Sequence, residues 1–440
     1  MSGPSDANTR MPSGAVGETA WRDDATGPVV LSVDCYLDPD HARREGERLW
    51  PRVWQFACTL DHLPRPGSYH EYTSGPLSVL IVHGDDGTLR AFQNVCRHRG
   101  NSLCRGSGDG LDEIRCGYHR WAWNLRGELR EVPSRRGFGP LRNEDYPLLP
   151  VRVDTWGPLV FVNLDADAPT LGDYLEGVPD DARWADLDEF RCSLTTSTPL
   201  SCNWKIVSEG FSETYHVQGL HPELLATVDD VHAPQRIWDH HGASYQLYGV
   251  PSPRIRTTVT DAEVWDAFAD TQRLRLGTGE PLPPLAEGET VADAIARQIR
   301  AHQASRGVDL GRFSDSQINT ISQYNLFPNT SVLVSADSLL VLSARPGADV
   351  ADCVLFTANF ERAPDPEVER TQPKEIVNTR DEARALGTVF NQDLSVAVSM
   401  QKGLRQPGLT HINLSSEEIR VINAHRVLDR YLSDQPGHRS

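Results

Sequence analysis

The chain is 440 residues long, enough for two or three domains with cores of their own, and its formal net charge of −18 at neutral pH excludes nucleic acid or an anionic membrane surface as a partner. No run of about eighteen apolar residues is present, so nothing reads as a membrane span. Eight cysteines in this length do not make a disulfide framework, and the first thirty residues lack the charged-then-apolar pattern of a signal peptide; a cytoplasmic protein is expected.

In chain order, residues 1–34 are polar and without periodicity and read as a disordered tail, with order beginning near Val30. Asp38-Pro39 sets an N-cap before a proline at the first helical position and predicts a helix over 38–50. Trp54 and Phe56 open a strand pattern. Leu77 to His83 is apolar and β-branched, Asp86-Gly87 supplies a turn, and Leu89 to Val95 returns, so a hairpin delivers the chain to Cys96. Cys96-x-His98 is followed, after seventeen residues, by Cys116-x-x-His119, with short strands expected over 113–116 and 121–125. Leu159 to Leu164 is a further strand, closing a small all-β domain over 48–165 before a linker at Asp165 to Thr170.

Two Cys and two His in matched pairs on two loops are a metal-site spacing. Each loop can give a thiolate to one iron and an imidazole to the other, which is the ligation of a Rieske [2Fe–2S] centre. A structural zinc site takes the same residue types, although zinc fingers place both His on a helix. The remaining cysteines (Cys35, Cys58, Cys104, Cys192, Cys202 and Cys353) are scattered and read as small buried hydrophobes; Cys104, between the ligand loops, is also given a packing role.

From 166 to 440 the pattern becomes mixed helix and strand, an α+β domain with an antiparallel sheet, including long strands at Ser331 to Val341 and Val354 to Phe360. Thr290 and Asp293 begin a helix through Ile295 and Ile299 after the Pro281 to Pro284 loop, and Leu274 to Gly311 reads as a lid or insertion. Within Cys202 to Leu224, helical spacing puts Glu209, Glu213 and His216 on one face, and Gly219 is expected to end the helix so that His221 approaches from a loop. His216 and His221 would make two legs of a facial triad for Fe(II). Asp393 lies in the apolar stripe Leu386, Val389, Phe390, Ala397 and Met400 of a late helix and offers the carboxylate leg; bonding to a core arginine is its alternative, and satisfied core histidines are the alternative for the other two.

With Arg97, Arg99 and Gly100 around the first loop, and Tyr118, Trp121 and Gly127 around the second, the segment resembles the cluster-binding part of a Rieske non-haem iron oxygenase, large (alpha) subunit. The resemblance extends from about Trp50 to Leu432. It implies a Rieske domain over 48–165 and a catalytic mononuclear-iron domain of helix-grip (START-like) type over 166–440, with the 38–50 helix packing on it. It maps the cluster ligands to Cys96, His98, Cys116 and His119, and the iron ligands to His216, His221 and Asp393. Glu213 takes the place of the carboxylate that passes electrons from a neighbouring subunit's cluster, where aromatic-ring dioxygenases usually have Asp and oxygenases of quaternary ammonium compounds have Glu.

The family works with an NAD(P)H-dependent reductase, with or without a ferredoxin. No GxGxxG follows a strand here, so the reductase is expected to be another protein. A homotrimer is expected, with or without a small beta subunit. Three activities remain open. One is mono- or dihydroxylation of an aromatic or other apolar cyclic substrate, as in aromatic hydrocarbon catabolism. A second is N-demethylation or hydroxylation of a small quaternary ammonium compound, favoured by Glu213 and by HPEL at His221 to Leu224. The third is an electron carrier without catalytic iron, against which the length argues.

Overall fold

The computed structural model describes residues 29–277, 283–382 and 388–433. It opens on strand β1 (Val29–Ser32) and helix α1 (Pro39–Arg48), capped as expected by Asp38, whose side chain accepts from the Asp40 N–H. Of the tail expected over 1–34, residues 1–28 lie outside the described residues. The rest is ordered: β1 pairs antiparallel with a late strand, which gives its apolar residues a partner the sequence did not indicate.

Next come β2 (Gln55–Thr59), β3 (Tyr69–Ser74), β4 (Leu77–His83), β5 (Leu89–Gln93) and β6 (Ser107–Gly108). A separate three-stranded sheet follows, of β7 (Ile114–Arg115), β8 (Ala122–Trp123) and β9 (Leu129–Glu131), and then β10 (Pro150–Trp156) and β11 (Leu159–Asn163). The seven-stranded sheet runs β2-β11-β10-β5-β4-β3-β6. Its β4–β5 hairpin turns where expected, with Gly87 at φ 77°, a conformation that favours glycine, and the register runs from Val79↔Gln93 to His83↔Leu89.

The second half contains β12 (Phe190–Leu200), α2 (Trp204–Gly210), α3 (Val217–Leu220), β13 (Gln235–Ile237), β14 (Gly242–Leu247) and α4 (Val291–Ser305). After these come β15 (Thr320–Leu326), β16 (Thr330–Val334), β17 (Ser338–Pro346), β18 (Cys353–Arg362), β19 (Lys374–Val377), α5 (Thr388–Leu404), β20 (His411–Leu414) and α6 (Ile419–Leu432). Eight strands form the sheet β13-β14-β15-β16-β17-β18-β12-β19, antiparallel except for β19, which adds to β12 in parallel. The single strand expected over Ser331 to Val341 is two. Ser335 and Asp337 make the turn between them: Ser335 Oγ accepts from the Ser338 N–H, and the Asp337 carboxylate binds buried Arg275 at 2.6 Å.

One apolar core joins the two sheets. Phe56 of β2 packs on Phe161 of β11 and on Phe356 of β18, with ring centroids 5.9 and 6.0 Å away. Helix α1 is fastened to the catalytic half by a buried pair, Lys205 Nζ to Glu45 Oε1 at 2.5 Å, and by Trp204 Nε1 donating to Glu45. The region expected as a lid or insertion, of which residues 278–282 lie outside the described residues, contributes Ile295 and Ile299 to a second core that they share with Trp265, Phe268 and Phe313 from outside it. Among the described residues no helix is long and apolar enough to cross a membrane.

Candidate metal centres

The first ligand loop is built on Asn94, whose role sequence spacing did not reveal. Its Oδ1 accepts from the N–H groups of Leu103 and Cys104, and its Nδ2 donates to the Cys104 carbonyl at 2.8 Å, closing the loop around Cys96 and His98. Gly100, at φ 77°, turns the chain so that its N–H reaches the Cys96 carbonyl. The second loop closes by Cys116 N–H to the Trp121 carbonyl and Arg120 N–H to the Cys116 carbonyl.

These loops bring the four expected residues together. Cys96 and Cys116 are buried; His98 and His119 lie toward the surface with ring centroids 4.6 Å apart. Trp121 stacks flat on His98, centroids 5.2 Å apart and planes 6° from parallel. The Nδ1 atoms of His98 and His119 are buried and have no hydrogen-bond partner. Burial opposes ionisation of the Cys116 thiol, but the N–H groups of Tyr118 and His119, with Cys96 and Asn101, outweigh it and bring its pKa below the usual value. Two buried thiols and two inward-facing, unpartnered imidazole nitrogens fit a cluster of two irons.

Glu213 and His216 are not on the helix that carries Glu209. Helix α2 ends at Gly210, the chain turns through Phe211 and Ser212, and His216 caps the separate helix α3. The glycine is the signal the helical reading overrode. Glu209 faces away from the site, accepting from the Tyr36 hydroxyl at 2.9 Å and meeting His425 Nε2 at 2.8 Å. Gly219 lies inside α3, and His221 itself terminates that helix. In the late helix, Leu386 lies outside the described residues, Ala397 is buried, and Met400 is exposed, at the mouth of a cleft rather than in a buried stripe.

His216, His221 and Asp393 meet despite the corrected helices, one ligand atom of each lying within 4.8 Å of the others. Asp393 Oδ1 is 2.8 Å from His221 Nε2 and 3.7 Å from His216 Nε2. The other ring nitrogens are held by side chains: His216 Nδ1 by Glu213 Oε1 at 2.5 Å, and His221 Nδ1 by Gln392 Oε1 at 2.8 Å. Glu213 also accepts from the His216 backbone N–H at 3.0 Å. Burial works against protonation of His221, and Asp393 outweighs it, so its pKa is raised. Two imidazoles oriented from behind and one carboxylate fit a facial Fe(II) site. The cleft beside them is walled by Ile206, Val207, Leu220, Leu394 and Ala397, and among the described residues Phe211 is the one Phe, Tyr or Trp that lines it.

Residues 182–434 match the family model of the ring hydroxylating alpha subunit (catalytic domain), and residues 53–150 match the Rieske [2Fe-2S] domain. The first match takes in more than half of the chain, and the chain belongs to the ring-hydroxylating oxygenase alpha-subunit family. It is 31% identical over 203 residues to the glycine betaine monooxygenase oxygenase subunit of Pseudomonas aeruginosa, covering 46% of this chain and 47% of that protein. To the biphenyl 2,3-dioxygenase subunit alpha of Rhodococcus jostii it is 32% identical over 214 residues, 44% of this chain and 43% of the other. In these alignments the chain spans about half the length of the curated relatives it matches. A solved quaternary ammonium Rieske monooxygenase has the same fold, with TM-score 0.67, 18% identity, and coverage of 92% of this chain and 96% of that one. The Rieske match removes the zinc reading of the Cys/His loops, and the catalytic-domain match runs against a bare electron carrier.

Proposed function

We propose that this chain is the terminal oxygenase component of a multicomponent Rieske oxygenase, and that it hydroxylates an aromatic or other apolar cyclic substrate. The observation that carries the substrate class is the cleft against His216 and Asp393, walled by aliphatic side chains. Residues 48–165 form the cluster domain and 166–440 the catalytic domain. In this reading Cys96, His98, Cys116 and His119 hold the [2Fe–2S] cluster, and His216, His221 and Asp393 hold Fe(II). When bound, the two groups supply one-electron transfer and dioxygen activation, with electrons drawn from NAD(P)H through a partner reductase, directly or through a ferredoxin.

The residues of the chain do the positioning. Glu213 and Gln392 each accept from the Nδ1–H of a ligand histidine, which fixes both tautomers and leaves both Nε2 lone pairs toward Asp393. The aliphatic wall gives an apolar ring a surface to pack on beside His216 and Asp393. Glu213 also serves as the electron bridge to the cluster of a neighbouring subunit in a homotrimer, with or without a small beta subunit. What supports this assembly is the exposure of Tyr118, beside His119, at 58%, and of Tyr215, beside His216, at 44%: aromatic rings flank both centres on the free surface, and a second copy would cover them.

A second reading, oxidation of a small quaternary ammonium compound, draws on Glu213 and on the glycine betaine relative. A cage of aromatic faces is the usual receptor for such a cation, and among the described residues Phe211 alone does not make one. A screen with a surrogate reductase, reading substrate-dependent oxygen uptake and product, separates the two. Hydroxylated product from apolar rings and none from betaines is the expected result; turnover of betaines or carnitine alone would reverse the choice. The same preparation should contain about three irons and two acid-labile sulfides per chain. Two irons per chain, or stoichiometric zinc in their place, would remove the mononuclear site from the proposal.

A further inference from the structure

A third set of ligand-type side chains lies outside both centres, where the seven-stranded and eight-stranded sheets meet. His62 follows β2 in a single 3-10 turn, His70 is on β3, and Glu375 is on the edge strand β19. One ligand atom from each lies within 4.8 Å of the others. The imidazoles are almost wholly buried, at 1% and 7% exposure, with ring centroids 4.6 Å apart, whereas the Glu375 side chain is 49% exposed and forms the open side.

Both inward nitrogens, His62 Nε2 and His70 Nε2, are buried without a hydrogen-bond partner. The opposite nitrogens show what those atoms carry. Ser107 Oγ donates its proton to Glu375 Oε1 at 2.7 Å, so its contact of 2.8 Å with His70 Nδ1 is one in which the ring donates, and His70 Nε2 is a bare lone pair. His62 Nδ1 is 2.8 Å from Thr59 Oγ1 and 3.2 Å from the Thr59 backbone nitrogen. The Thr59 N–H donates to Nδ1, so the proton of this ring is on Nε2; for Nε2 to bind a metal that proton would move to Nδ1 and be donated to Thr59 Oγ1 along the shorter contact. As it stands the His62 Nε2–H and the His70 Nε2 lone pair are both buried without a partner beside the Glu375 carboxylate, and a cation bound to both imidazoles and the carboxylate would satisfy all three. Arg345 is the opposing charge nearby. Burial first, with Arg345 adding to it, pushes His62 down to about 3; burial, His62 and Arg345 push His70 the same way, and a neutral imidazole is the form that binds metal.

We propose that His62, His70 and Glu375 bind a divalent transition-metal ion of the zinc class, with water as fourth ligand, and that this ion ties the cluster-bearing sheet to the catalytic sheet. Ligand atoms of tetrahedral zinc stand about 3.3 Å apart, given bonds of about 2.0–2.1 Å. His62 Nε2 and Glu375 Oε1 are already at 3.6 Å. The Ser107 hydroxyl is the outer partner that holds the His70 ring and the carboxylate at once.

The test uses the full iron-loaded protein, exposed to zinc and washed free of loosely held ion, with zinc and iron then counted by elemental mass spectrometry. About one zinc per chain should be retained beyond the iron complement, with nitrogen and oxygen ligands at the zinc absorption edge. Glu375→Gln, a change at a half-exposed position, and His70→Gln should each weaken zinc binding at least tenfold, with iron content and the visible spectrum of the cluster unchanged. Added zinc should raise the Tm of the parent protein and leave that of Glu375→Gln where it was. No retained zinc in the folded parent protein would overturn the proposal. So would zinc that survives both variants and disappears in His221→Ala, because it would then be occupying the iron site.

Discussion

Gln392→Leu tests the candidate iron site at a residue that touches no iron. Gln392 Oε1 accepts from His221 Nδ1 at 2.8 Å, and the His221 ring is buried, at 2% exposure, behind a half-buried Gln392. Leucine keeps the approximate size and removes the acceptor, leaving a buried N–H unpaired whenever Nε2 is committed to metal. An unsatisfied buried donor costs about 1–3 kcal/mol, which at about 1.4 kcal/mol per decade is roughly a 5- to 150-fold loss of Fe(II) affinity. That range overlaps the ~10–100-fold seen when outer partners of metal-bound histidines are removed. The assay is Fe(II) titration of protein stripped of its mononuclear ion by mild chelation, with the visible spectrum of the cluster as an internal control. Gln392→Glu, which restores an acceptor, should recover the affinity. An unchanged Fe(II) affinity in Gln392→Leu, with the cluster spectrum intact, would refute the assigned orientation of His221.

Glu213→Gln keeps an acceptor for His216 but removes the charge; both centres should still load, while reoxidation of the reduced cluster by O₂ with substrate present becomes at least tenfold slower in stopped flow. An unchanged rate with full iron content would take Glu213 out of the electron path, and loss of the mononuclear ion would make it a ligand. Glu45→Ala strands the Lys205 ammonium in the interior and should cost about 3–5 kcal/mol of stability in denaturant unfolding. Burial raises the Glu45 pKa, but Lys205, with His41 and Trp204, holds it at about 2, below the usual 4.5. Its contribution is therefore complete above about pH 4.5 and is lost as pH falls toward 2; a parent protein whose pH–stability curve over that window matches the variant's would contradict this.

The candidate cluster loops were legible because their Cys and His come in tight pairs, and two of each at that spacing have few structural explanations. The meeting of His216 and His221 was legible for the same reason, although the helix expected to run from Glu209 to His216 was wrong: 3.6-residue spacing outweighed Gly210, and Glu209 was carried onto a face it does not share. Asp393, far along the chain, showed only as a carboxylate among apolar neighbours. Gln392 and Asn94 gave no signal, because an amide's role depends on which buried nitrogen or carbonyl the folded chain sets against it. The Ser335 to Asp337 turn was hidden inside an apolar stretch, and it is stabilised by Arg275 from a distant helix.

The contact of Phe56 with both Phe161 and Phe356 sets a rule for building chimaeras. A crossover near residue 165, the natural place to exchange one cluster module for another, would cut through side chains that interlock across the seam. Replacement modules would have to arrive with aromatic residues shaped for Phe356, or with a matching replacement for it. Since mismatched packing in a close-packed interior typically costs about 1–3 kcal/mol per site, exchange among distant relatives should yield folded hybrids only when this aromatic trio travels together.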